Sequence, residues 1–120
     1  MEKQPLFSPD DIVYIAGPMT GKTLFNYVKF FGYAGLLKKE YGCTVLNPAR
    51  QPNGLTYKQY LARAIADVSH ATAILLLNGW IQSPGARKEY DFFLNRPSSG
   101  KFVTEEMVIQ ELSNRITVKS

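Results

Sequence analysis

Two stretches of this sequence combine residue types and spacing suited to chemistry on a small molecule. The first is Gly17-Pro18-Met19-Thr20-Gly21-Lys22-Thr23, which nearly spells the phosphate-cradling loop of ATPases and kinases. That loop needs a glycine, four residues, and then Gly-Lys-Ser/Thr. Here Ala16 stands where the first glycine belongs, and Gly17 leaves the spacing one residue short. No acidic residue closes the apolar run 72–77 to hold magnesium, so the motif argues against an ATPase or kinase. What survives is a Gly/Pro turn whose backbone N–H groups can meet an anion. The plainer alternative is a tight strand-to-helix turn that needs glycine for its geometry.

The second stretch is Ser83-Pro84-Gly85-Ala86, with Glu89 beyond it. Serine followed by proline reads as a helix N-cap with proline at the first helical position. The Ser83 hydroxyl and the N–H groups of residues 85 and 86 can face a phosphate or a sugar hydroxyl, and Gly85 and Ala86 leave room for a ligand to approach. Glu89 follows the cap by six residues, roughly 9 Å at 1.5 Å per residue. That distance matches the far side of a ribose whose phosphate sits at the cap. Alone, a glutamate beside Arg87 and Lys88 reads as an ordinary surface residue.

Other chemistries find little support. One histidine and one cysteine do not make a metal-ligand cluster, and no cofactor is called for. Cys43 lies in a strand-like apolar run, where packing is the expected role, and a lone cysteine suits a reducing compartment. The formal charge of +4 makes an anionic ligand plausible, but the basic residues are scattered in a way that argues against nucleic acid. The N-terminus lacks the apolar core of a secretory signal. The longest apolar run, Ala71 to Leu77, is far short of the roughly 20 residues of a membrane span. A cytoplasmic protein with no membrane partner is expected.

The elements that position these stretches follow from periodicity. At 120 residues and 45% hydrophobic, the chain fits one domain over 1–120, with a core of about 11–95. Ile12 to Ala16 reads as a buried strand feeding the first loop. A helix is expected from about Leu24 to Glu40, with Phe25, Val28, Phe31, Ala34, Leu36 and Leu37 as its inner stripe, ended by Tyr41-Gly42. Thr44 to Leu46 is a second strand, stopped by Asn47-Pro48. Tyr57, Tyr60, Leu61, Ala64, Ile65 and Val68 mark one face of a further helix. Thr72 to Leu77 is apolar on both parities, as in a parallel strand covered on both faces. A helix from Ser83-Pro84 to about Asn95 follows, then a strand at Lys101 to Val103, a helix at Glu105 to Ser113 and an edge strand at Ile116 to Val118. This alternation predicts an α/β, doubly wound, Rossmann-like, mostly parallel sheet of about four to five strands flanked by helices. In such sheets ligands bind outside the carboxyl ends of the strands, which points at loops 17–23, 47–54 and 78–84.

Tyr14-Ile15-Ala16-Gly17-Pro18-Met19-Thr20-Gly21, Phe25-Asn26-Tyr27, Asn47-Pro48-Ala49, Gly79-Trp80, Ser83, Gly85, Ala86 and Glu89, in that order, resemble the nucleoside 2-deoxyribosyltransferase-like superfamily of small phage and bacterial domains. That superfamily includes 2'-deoxynucleoside 5'-phosphate N-hydrolases, in which a serine-rich helix cap binds the phosphate six residues before a glutamate nucleophile. The resemblance implies that Glu89 attacks C1' of the sugar, as in retaining glycosidases. It implies a binding site drawn from Tyr14, Gly17, Pro18, Met19, Thr20, Gly21, Asn26, Trp80, Ser83, Gly85 and Ala86, with Trp80 or Tyr14 stacking on the base. It also implies a homodimer, for which Phe92 and Phe93 are candidate contacts.

The sequence departs from the superfamily at two acidic positions, where it has Ala64 and Thr72. The first of these is a catalytic partner in active relatives. Asp67, three residues on, reads instead as an exposed pair with Arg63, one turn away. The usual Gly-x-Pro-Val ending is replaced by Asn95 to Gly100. Two functions therefore stand: an N-glycosidase or deoxyribosyltransferase acting on a nucleoside or nucleotide through Glu89, or a nucleotide-binding protein that senses or sequesters without turnover.

Overall fold

Four apolar runs pair into one sheet, and the segments between them wind into helices on both of its faces. The computed structural model describes residues 4–19, 22, 26–52 and 54–119. Strands β1 (Ile12–Ala16), β2 (Thr44–Leu46), β3 (Ala73–Leu76) and β4 (Lys101–Thr104) lie in the order β2-β1-β3-β4, all parallel. The helices are α1 (Tyr27–Tyr41), α2 (Tyr57–His70), α3 (Pro84–Leu94) and α4 (Glu105–Lys119). The fold is α/β with helices on both sides of a parallel sheet, compatible with the doubly wound, Rossmann-like architecture.

Alternation along the strands splits the core in two. Val13, Ile15, Ala73, Leu75, Leu77 and Val103 face Phe30, Ala34, Leu37 and Tyr41 of α1 and Val108 of α4. Tyr14, Ala16, Ile74 and Leu76 face Ala64 and Val68 of α2 and Ala86 and Phe93 of α3. Burial on both faces is why β1 and β3 read as continuous apolar runs.

Local signals set the helix ends. Thr56 caps α2 by accepting from the Gln59 N–H at 3.1 Å, while the Gln59 side chain accepts from the Thr56 N–H at 2.9 Å; this reciprocal box satisfies two otherwise orphaned donors. Gly42 ends α1 at φ 69°, a left-handed conformation that glycine adopts without strain. Past α3, Arg96 Nη1 donates to Val68 O at 3.0 Å and Ala71 O at 2.5 Å, satisfying carbonyls at the end of α2. Its guanidinium also lies over the Phe93 ring, 4.1 Å from the centroid.

Three expectations need correction. The inner stripe of α1 is Phe30, Ala34, Leu37 and Tyr41, whereas Val28 is 77% and Phe31 42% exposed. Val28 and Phe31 are rotated off the Phe30-Ala34-Leu37 line, so they cannot share its buried face; Leu24 and Phe25 lie outside the described residues. The expected strand at 116–118 is the end of α4, which runs unbroken to Lys119; β-branched residues favour strands only where a pleated surface receives them. Phe93 belongs to the core at 3% exposure, while Phe92 remains on the surface.

The connectivity locates a crevice. From β1 the chain passes to β2 on one side, and from β3 to β4 on the other. The switch point thus falls between β1 and β3, and in open α/β sheets the cleft outside the carboxyl ends of the strands at such a point is where ligands bind.

Candidate functional site

The loops leaving β1 and β3 meet at this switch point. A Cβ on Gly17 would sit 2.8 Å from Leu77 Cβ, so only glycine fits. Gly79, at φ 91°, lies against the Pro18 ring, its would-be Cβ 3.2 Å from Pro18 Cγ. Asn26, itself left-handed at φ 63°, donates from Nδ2 to Pro18 O at 3.0 Å. Gly17, Pro18 and Asn26 thus build the cleft's framework. Thr20 and Gly21 lie outside the described residues.

Beneath these loops lies Glu89. It projects from the second turn of α3 into the face shared with α2, is 3% exposed, and accepts a short hydrogen bond from the Tyr14 hydroxyl on β1. Burial pushes the Glu89 carboxyl up to about 7, and the Tyr14 hydroxyl opposes that rise. Burial likewise pushes the Tyr14 phenol far up, reinforced by the charge of Glu89. Near neutrality Glu89 is therefore divided between carboxylate and acid, the condition in which one group can act as nucleophile or exchange a proton.

Tyr14 has no exposed surface. Its ring is core and its hydroxyl is committed to Glu89, so it positions the carboxylate and offers no platform for a base. Trp80, half-buried and edge-on to Tyr90 with ring centroids 4.8 Å apart, keeps an accessible surface beside the cleft. Ser83 does cap α3, accepting from the Ala86 N–H at 3.3 Å. The Ala86 N–H is thus in use, and the cap's remaining contribution is the Gly85 N–H with the positive end of the helix dipole.

The sequence pattern places Tyr60 in an apolar stripe, whereas its hydroxyl donates to Met19 Sδ at 3.2 Å. Burial and then the charge of Glu89 push its phenol upward. The signal was a hydroxyl-bearing ring in the first turn of a helix that starts at a strand's carboxyl end. Asn47 was noted only within its motif; it is buried, accepts from the Ala49 N–H at 3.0 Å, and its Nδ2 has no hydrogen-bond partner among the described residues.

Ala64 is fully buried under Tyr14 and Ala86. Asp67 is half-buried and close enough for its charge to act on Tyr14. No ion pair joins it to Arg63 among the described residues, which corrects the surface-pair expectation. Thr72 lies at the far, amino end of the sheet, where its hydroxyl donates to Asp11 Oδ1 at 2.7 Å. Among the described residues no helix is long and apolar enough to cross a membrane.

Fold and site together define a small parallel α/β protein with a buried carboxylate that, among the described residues, has one hydrogen-bond partner. Residues 11–97 match the family described as a domain of unknown function (DUF4406), and the chain belongs to that family. Neither the curated proteins nor the solved structures yielded a match.

Proposed function

We propose that this protein is an N-glycosidase or deoxyribosyltransferase that acts on a nucleoside or nucleoside 5'-monophosphate in the cytoplasm, with Glu89 as nucleophile. The observation that carries this reading is the buried Glu89 carboxylate held by Tyr14 under the crevice between β1 and β3. A Glu89 oxygen bonds to C1' as the C1'–N bond breaks, and the departing base keeps the electron pair and takes a proton from water. Water or a second base then displaces the glutamate from C1'. The α3 N-terminus, with Ser83 and Gly85, is suited to a phosphate or 5'-hydroxyl, and Trp80 to the base.

One observation favours a second reading, a nucleotide-binding protein without turnover: position 64 carries a buried alanine, so α2 supplies no acid there. Incubation with a panel of nucleoside and 2'-deoxynucleoside monophosphates, with free base followed by chromatography, separates the two. Base released by the native protein and not by Glu89→Ala supports the enzyme. Tight binding without base release by either protein supports the sensor, and neither binding nor release rejects both.

A further inference from the structure

Tyr14, Tyr33 and Tyr41 each direct their hydroxyl at a glutamate: Glu89, Glu105 at 2.8 Å and Glu111 at 2.6 Å respectively. These are strong, charge-assisted arrangements. Tyr60 breaks the pattern, because its hydroxyl donates to the Met19 thioether, a weak acceptor. A half-buried phenol ordinarily finds an oxygen, and among the described residues the Tyr60 hydroxyl has the thioether in its place. Its location is specific: Tyr60 stands in the first turn of α2, Met19 in the loop that leaves the carboxyl end of β1, and the Tyr60 hydroxyl lies within the field of Glu89.

We propose that Tyr60 is a ligand-binding donor whose hydroxyl rests on the Met19 sulfur and transfers to a sugar oxygen when a nucleotide enters the cleft. The inference rests on the glycosidase reading above and adds to it a determinant of sugar recognition. The exchange trades a poor acceptor for a good one, so ligand entry gains a hydrogen bond without breaking one of comparable strength. A carboxylate partner, as for Tyr33 and Tyr41, would oppose this exchange; a thioether does not. Because Tyr60 lies beside the carboxylate that attacks C1', the oxygen it meets belongs to the furanose and not to the phosphate at the α3 cap.

The test is calorimetric titration of the full chain carrying Glu89→Gln, which prevents turnover, with and without Tyr60→Phe or Met19→Leu. The probes are 2'-deoxynucleoside 5'-monophosphates, 2-deoxyribose 5-phosphate and the free bases. Tyr60→Phe is expected to weaken the nucleotides and the sugar phosphate about ten-fold and to leave the free bases unchanged. Its melting temperature should stay within about 2 °C of the parent, since only a weak bond is lost. Met19→Leu should hold or tighten the same ligands. The proposal is overturned if Tyr60→Phe binds the sugar phosphate within about two-fold of the parent. It is equally overturned if both substitutions weaken binding alike, which would make the contact a structural clasp. Failure of the parent to bind any probe would sink the glycosidase reading itself, whereas normal nucleotide binding with a silent Tyr60→Phe would sink this inference alone.

Discussion

Glu89 and Glu105 are two glutamates of nearly equal burial, 3% and 6% exposed, each near the start of a helix and on opposite faces of one sheet. Burial works to raise both. For Glu105 it is outweighed by the Lys29 ammonium at 2.7 Å, the Asn78 N–H at 2.7 Å and the Tyr33 hydroxyl at 2.8 Å, which hold it below the usual range. For Glu89 the single Tyr14 hydroxyl does not suffice, and the carboxyl rises to about 7. Both are nearly closed off from solvent, but Glu89 lies deeper among protein atoms and has fewer partners among the described residues, and the two differences together separate them. Glu105 ties α1 and the loop after β3 to the start of α4, while Glu89 holds a carboxyl that titrates near neutrality.

Four experiments press on this contrast. The largest expected effect is catalytic: Glu89→Gln should cut base release by about 10³-fold or more, whereas Glu105→Gln, outside the reacting cleft, should leave the chemical step within about ten-fold. Comparable losses from both would erase the distinction. Next comes stability. Glu105→Ala strands Lys29 and the Asn78 N–H and should cost about 3 kcal/mol in urea unfolding at pH 7, while Glu89→Gln should cost nothing or stabilise.

Third is the pH profile. Glu89 binds its proton more tightly in the folded state, so between its ordinary 4.5 and about 7 the native protein holds more proton than the unfolded chain. Stability should therefore fall as pH rises through that window, by about 3 kcal/mol in all, and Glu89→Gln should flatten the slope. Glu105 and Asp11, both lowered, act in the opposite sense. Their contribution is complete above the ordinary carboxylate range and is lost as pH falls below it. Denaturant midpoints between pH 3 and 8, an interval chosen to span roughly both ranges, resolve the two slopes. The smallest effect belongs to Tyr14→Phe. Loss of the Tyr14 hydrogen bond, the one Glu89 accepts among the described residues, should move the rising limb of the pH–rate curve to higher pH, and an unmoved limb would deny Tyr14 its positioning role.

What the sequence disclosed follows from locality. The first three strands, the serine-proline start of α3 and the helical period of α2 depend on neighbouring residues, so they were legible. The inner face of α1 was not, because Phe30 and Phe31 are adjacent and equally apolar, and only packing against Ala49 and the sheet selects Phe30. Ile116 to Val118 misled in the opposite way: β-branched residues suggested an edge strand, yet they continue α4. At the site, the serine–glutamate spacing drew attention to Glu89, but its partner comes from 75 residues away. Nothing in the local sequence marks Tyr14 as the group that holds the carboxylate. The network of Ser8, Asp11, Thr72 and Lys101, which binds the amino ends of three strands, has no local signature.

The family match ends at residue 97, yet β4 begins four residues later and forms the outer neighbour of β3 along its whole length. A gene fragment trimmed to residues 11–97 would therefore leave the most apolar strand of the protein with a bare hydrogen-bonding margin. Such margins recruit other chains, so the trimmed product should precipitate on expression. Anyone dissecting this family by truncation would then be watching aggregation where a loss of activity was meant to be measured.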